Sequence, residues 1–87
     1  LDDMASIDLQ HTGVPPRLMA VQQLNLPRQA NVLRAWLLQR GVSCSTAQLE
    51  QLLHQIDACR TRGHQIDIKV GDGFVRRSGD HIDWYNF

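Results

Sequence analysis

Between Pro27 and Gly41 apolar residues recur at helical spacing. With Leu33 as the zero of a wheel at about 100° per residue, Ala30, Val32, Trp36 and Leu37 fall in one broad arc. Pro27 suits a first helical turn and Gly41 a stop, so this stretch predicts a core-facing amphipathic helix. A second helix is predicted from Ser45, which forms a capping-box pattern with Gln48, to near Gly63. Its apolar arc is Leu49, Leu52, Leu53, Ile56 and Cys59, and the short link between the helices predicts an antiparallel pair. Ahead of them, Leu1, Met4, Ala5 and Ile7 keep roughly helical spacing to about Gln10, before His11-Thr12-Gly13 and Pro15-Pro16 break the pattern. The run Leu18-Met19-Ala20-Val21 with Leu24 fits either a short helix or an extended cover for the core.

After Gly63 the period becomes two. Gln65-Ile66-Asp67-Ile68-Lys69-Val70 alternates, Asp72-Gly73 is a hairpin signal, and Phe74 to Arg77, Ser78-Gly79 and Asp80 to Phe87 continue a three-stranded meander. With two-residue loops, Val70 pairs with Val75 and Val75 with Ile82. Ile66, Ile68, Val70, Val75, Ile82 and Trp84 then face the helices. Arg77 meets Asp80 at the rim of that face, in a structural position. Lys69, Arg76 and His81 line up on the other face, flanked by Phe74 and Tyr85. A three-residue Gly71-Asp72-Gly73 loop would instead exchange the roles of Arg76 and Arg77. The fold class is therefore α+β: an N-terminal connector helix, an antiparallel helix pair and a small three-stranded antiparallel β-meander.

The 87 residues allow one modest core. No apolar run approaches the roughly 18–20 residues of a membrane span and no charged n-region precedes an apolar h-region, so neither a signal peptide nor a membrane partner is expected and the cytoplasm is the default compartment. The start at Leu1, inside a helix-like run, and the end after a strand-like one predict a piece of a longer chain. Residues 1–16 then read as a connector and 17–87 as the domain proper. Cys44 and Cys59 read as reduced thiols.

Nine basic and nine acidic side chains cancel, but unevenly. Residues 1–27 carry −2, residues 28–77 carry +4 and the last ten carry −2. Eight of the nine basic residues are arginines, whose guanidinium suits phosphate contact and base stacking, so RNA or another polyanion becomes a candidate partner alongside plain solvated arginines.

No catalytic constellation is evident. Walker A, G-x-G-x-x-G, G-x-S-x-G and H-E-x-x-H patterns are absent, and Gly71-Asp72-Gly73 precedes a strand, so it reads as a turn. The spacings of Cys44, His54, Cys59 and His64 match no common zinc pattern, and His54 and Cys59 lie about 140° apart on a helix. Glu50 and Asp57 read as solvated carboxylates. Asp80-His81-x-Asp83 has no Ser or Cys nucleophile to serve. Neither catalytic nor metal-ligating residues are assigned.

The run Arg28-x-x-Asn31-x-Leu33-Arg34-x-Trp36-Leu37, then Gly41, Ser45, Leu49, Leu52-Leu53 and Val75-Arg76-Arg77 before Trp84, resembles the domain that follows the catalytic domain in bacterial tRNA(Ile)-lysidine synthetases. The resemblance covers roughly residues 18–87, and its specificity lies in the order and spacing of motifs that are individually weak. Ala35 stands where some members carry a second Arg before the Trp.

The family ligates lysine to the wobble cytidine of a tRNA-Ile with a CAU anticodon, using ATP with Mg on an upstream PP-loop domain whose Ser-Gly-Gly-x-Asp-Ser signature is absent here. The resemblance thus implies a tRNA-binding and positioning role, with no cofactor in this fragment and the upstream catalytic domain as a partner. Arg28, Arg34, Arg40, Lys69, Arg76 and Arg77 are the candidate tRNA contacts, with Arg76 foremost. Trp36 and Trp84 are assigned to the core, while Phe74 and Tyr85 are stacking platforms or domain contacts. The competing expectation is an interaction module that docks on a neighbouring domain without touching RNA.

Overall fold

A computed structural model describes residues 3–61 and 63–86. Leu1, Asp2, Arg62 and Phe87, with the side chains of Asp3, Met4, Ala5 and Ser6, lie outside the described residues. Four helices, α1 (Asp3–Thr12), α2 (Leu18–Gln22), α3 (Leu26–Gln39) and α4 (Thr46–Ala58), precede strands β1 (Asp67–Val70), β2 (Gly73–Ser78) and β3 (His81–Tyr85). The strands form one antiparallel sheet in sequence order, so the α+β expectation holds.

Each long helix starts where its cap chemistry dictates. Asn25 accepts the Arg28 backbone N–H at 3.0 Å, and Ser45 and Gln48 exchange capping bonds at 3.1 and 3.2 Å. Past α3, Gly41 takes φ +74°, a left-handed residue that ends the helix. α4 stops at Ala58, short of the expected end near Gly63. Beyond it the carbonyls of Thr61 and His64 leave the helical path to accept from Arg77, 16 and 13 residues away in sequence.

The core lies between the helices and one sheet face. Val32, Leu33, Trp36 and Leu37 of α3 meet Leu49, Leu52 and Ile56 of α4, with Ile66, Val70, Val75 and Ile82 beneath them, all buried. Trp36 is fully buried and Trp84 packs half-buried against the same cluster, as expected. α1 packs on α3 through buried Leu9. Segment 16–18 then runs along β3: Leu18 N–H donates to the Asp80 carbonyl at 2.7 Å and Ile82 N–H to that of Pro16 at 3.0 Å.

The strand register differs from the expected one by two residues. Val75 pairs with Ile68 instead of Val70, and with Trp84 instead of Ile82; Arg77 lies opposite Ile82, not Asp80. Both hairpins turn on a Gly-Asp pair, 71–72 and 79–80, with glycine φ values of +58° and +61° in the first turn position. Glycine first is the preference of a type II′ turn, whereas Asp72-Gly73 would have asked aspartate for a positive φ. Gly73 belongs to the strand for another reason: a Cβ there would lie 2.8 Å from the Trp84 ring. A shift of two leaves every side chain on its expected face and changes only its neighbours.

Candidate nucleic-acid interface

Alternation along the pleat places Lys69, Phe74, Arg76, Tyr85 and Asp83 on the sheet face away from the helices. Two rows cross the three strands there. One is Lys69, Phe74, Tyr85 and the other is Asp67, Arg76, Asp83. The expected row of Lys69, Arg76 and His81 does not form, because the two-residue shift sets His81 opposite Ser78 and Arg76 between two carboxylates. The Arg76 Nε donates to Asp67 at 3.3 Å, and its guanidinium carbon lies 5.5 Å from the Phe74 ring centre, within cation–π range. Lys69 is exposed and makes no ion pair among the described residues. The face therefore offers an exposed ammonium beside an aromatic pair, with a guanidinium one row away.

Arg40 joins this face at its rim. As the C-cap of α3 it reaches the edge of β3, donating to the Trp84 carbonyl at 3.1 Å and to Asp83 at 3.5 Å. Asp83 in turn accepts the Trp84 backbone N–H at 2.8 Å. The edge-facing N–H and carbonyl of Trp84 are thus answered by side chains, one of the ways a sheet edge is kept from pairing with another chain.

The remaining candidates lie elsewhere. Arg77 projects from the helix-facing side of β2, where its guanidinium donates to the carbonyls of Gly79 (2.9 Å), Thr61 (2.7 Å) and His64 (2.9 Å) and to the Cys59 sulfur at 3.2 Å. It holds the chain between α4 and β1. Arg28 grips Asp8 with two bonds, 3.0 and 2.6 Å, fastening α1 to α3. The Arg28 hydrogen bond, aided by its charge, outweighs the desolvation of Asp8 and holds that carboxyl below its ordinary range; the same bond raises the Arg28 pKa. Arg34 is exposed on α3, beside a small cleft of about 160 Å³ that Leu38 and Cys44 help to line. Its side chain makes no hydrogen bond or ion pair among the described residues.

Lys69, Arg76 and Arg40 are therefore gathered at one face, while Arg28, Arg34 and Arg77 are not. Sequence reasoning missed the flanking carboxylates Asp67 and Asp83; the repeated Gly-Asp dipeptide that sets the register was the available signal. It also missed Asp8 as the partner of Arg28, for which the 20-residue separation left no local cue. Among the described residues no group of three or more His, Cys, Asp or Glu is placed to hold a metal ion.

The structure defines a small α+β domain with Lys69, Arg76, Phe74 and Tyr85 together on the solvent side of its sheet. A family model described as the TilS substrate binding domain matches residues 17–82. A tRNA(Ile)-lysidine synthase of Polaromonas naphthalenivorans (strain CJ2) is 56% identical over 82 residues, covering 94% of this chain and 25% of that protein. The chain spans about a quarter of the length of the curated relative it matches. No solved structure matches. The chain belongs to the TilS substrate-binding domain family. Among the described residues no helix is long and apolar enough to cross a membrane.

Proposed function

We propose that this domain holds tRNA for a tRNA(Ile)-lysidine synthetase, through the outer sheet face. In this reading Lys69 and Arg76 take backbone phosphates, Arg40 extends the contact at the rim, and Phe74 and Tyr85 supply aromatic surface for a base. Arg34 is a peripheral contact, while Arg28 and Arg77 serve the fold. The RNA is a tRNA-Ile with a CAU anticodon. Its wobble cytidine receives lysine at an ATP- and Mg-using PP-loop domain of the longer polypeptide, in the cytoplasm. The 17–87 unit binds and positions the RNA, and residues 1–16 lead to it from the catalytic domain.

The observation that carries the reading is the row of Lys69, Phe74 and Tyr85 beside Arg76 on the solvent side of the sheet. The family match and the relative's name supply the kind of substrate. Titrating the chain with fluorescent tRNA at several salt concentrations tests it. Affinity should fall with salt, and Arg76→Ala should reduce the salt slope by about one unit. One observation favours a second reading: Asp67 and Asp83 flank Arg76 and compensate its charge, which suits a face that docks on a neighbouring protein domain. Absence of tRNA binding even at low salt would leave that docking role as the account.

A further inference from the structure

A cleft opens on the helical layer, away from the sheet face. It is an open cleft of about 540 Å³ between the α2–α3 turn and α4, inside the usual ~300–1,000 Å³ range of ligand sites. Leu24, Leu26 and Leu53 give it apolar walls, and Leu26 is 60% exposed although it opens a helix. Glu50 and Asp57, seven apart on one flank of α4, supply carboxylates at its rim. Asp57 already holds Arg60 at 3.0 Å, both side chains being exposed, whereas Glu50 has no basic partner among the described residues.

The second observation is independent of those acids. Gln29 forms part of the cleft wall and is only 7% exposed. Its amide nitrogen donates to the Leu24 carbonyl at 2.8 Å, which fixes the amide orientation. The oxygen, Oε1, is then buried with no hydrogen-bond partner. A buried acceptor left alone bears the cost of its lost hydration, so such an atom calls for a donor.

We propose that this cleft binds a cation that carries N–H donors on an apolar stem, an alkylammonium or alkylguanidinium group. The stem lies on Leu24, Leu26 and Leu53, the charge is met by Glu50, and an N–H is donated to Gln29 Oε1 in the cleft wall. Neutral donors leave Glu50 unused, and anions meet its charge. Two sources carry this chemistry: a free amine or guanidine of low molecular weight, and a lysine or arginine side chain of another polypeptide segment.

Titration of the isotope-labelled chain, followed by the Gln29 side-chain amide resonances, tests the proposal. The probes are n-butylguanidinium, n-butylammonium and n-butyltrimethylammonium, the last having charge and stem but no N–H. The first two should shift the Gln29 amide and Leu53 signals. The trimethyl probe should bind about tenfold more weakly, as should all three to Glu50→Gln, an exposed substitution that leaves the fold intact. A blocked tripeptide with central arginine and free agmatine separate the sources: tighter binding of the peptide points to a polypeptide partner, and tighter binding of agmatine to a free guanidine. Equal response to all three butyl cations, or shifts confined to the rim acids with Gln29 unmoved, would overturn the proposal.

Discussion

Arg76 and Arg77 stand side by side on β2, and the pleat sends one to the solvent side and the other to the helical side. Arg76 keeps company with an aspartate and an aromatic ring, contacts made between exposed or half-buried side chains. Arg77 meets backbone carbonyls from three separate places in the chain, at Thr61, His64 and Gly79. A carbonyl in a fixed loop cannot leave to let an RNA phosphate in without loosening that loop, whereas an exposed carboxylate can swing into water. The difference teaches that a count of arginines overstates a polyanion surface, because guanidinium is equally suited to fastening backbone.

The contrast is broken most severely from the helical side. Gly73→Ala drives a methyl group into the Trp84 ring and the Tyr85 carbonyl, neither at the end of a flexible side chain, and should cost about 3 kcal/mol in denaturant melts. Arg77→Ala comes next. It strips donors from the α4–β1 connection and should lower stability by about 2 kcal/mol, while the fraction that stays folded binds tRNA as before. A fall in tRNA affinity with unchanged stability would assign Arg77 to the interface instead.

A smaller effect is expected at the Asp8–Arg28 fastening, and it depends on pH. The folded pKa of Asp8 lies below its unfolded value, so the pair contributes fully above the unfolded value of about 4 and is lost as pH falls through the folded one. Arg28, with its pKa raised, stays charged throughout. Melting temperatures of the chain and of Asp8→Asn should therefore differ at neutral pH and converge in acid; a constant gap would remove the ion pair as the cause. Lys69→Ala is the mildest change in stability, within about 0.5 kcal/mol, since the side chain is exposed and unpaired among the described residues. Its effect should appear in tRNA affinity alone.

How much of this was legible in the chain depends on distance along it. The α3 and α4 starts are written within three or four residues, in Pro27 and in the Ser45–Gln48 pair, and the faces of β1 to β3 follow from alternation, which a two-residue slip leaves intact. Neighbours across strands are a different matter. They turn on whether Gly71 or Gly73 occupies the turn: the Gly-Asp dipeptide favours Gly71, and Trp84, eleven residues beyond Gly73 and packed over it, adds a constraint that no local pattern carries. The end of α4 escaped for the same reason, since the carbonyls beyond it answer to Arg77. Of the interface, residue types could be read, but the pairing of Arg76 with Asp67 could not.

The bonds that tie residues 16–18 to β3, with the Asp8–Arg28 grip further back, bear on how motion passes through the molecule. α1 is no slack tether. Its 10 residues form a stiff arm of about 15 Å, fastened partway along to α3 and at its end to Arg17, whose segment in turn is bonded to β3. A displacement of α1 is therefore passed to α3 through Asp8–Arg28 and to β3 through residues 16–18, so the three elements respond together.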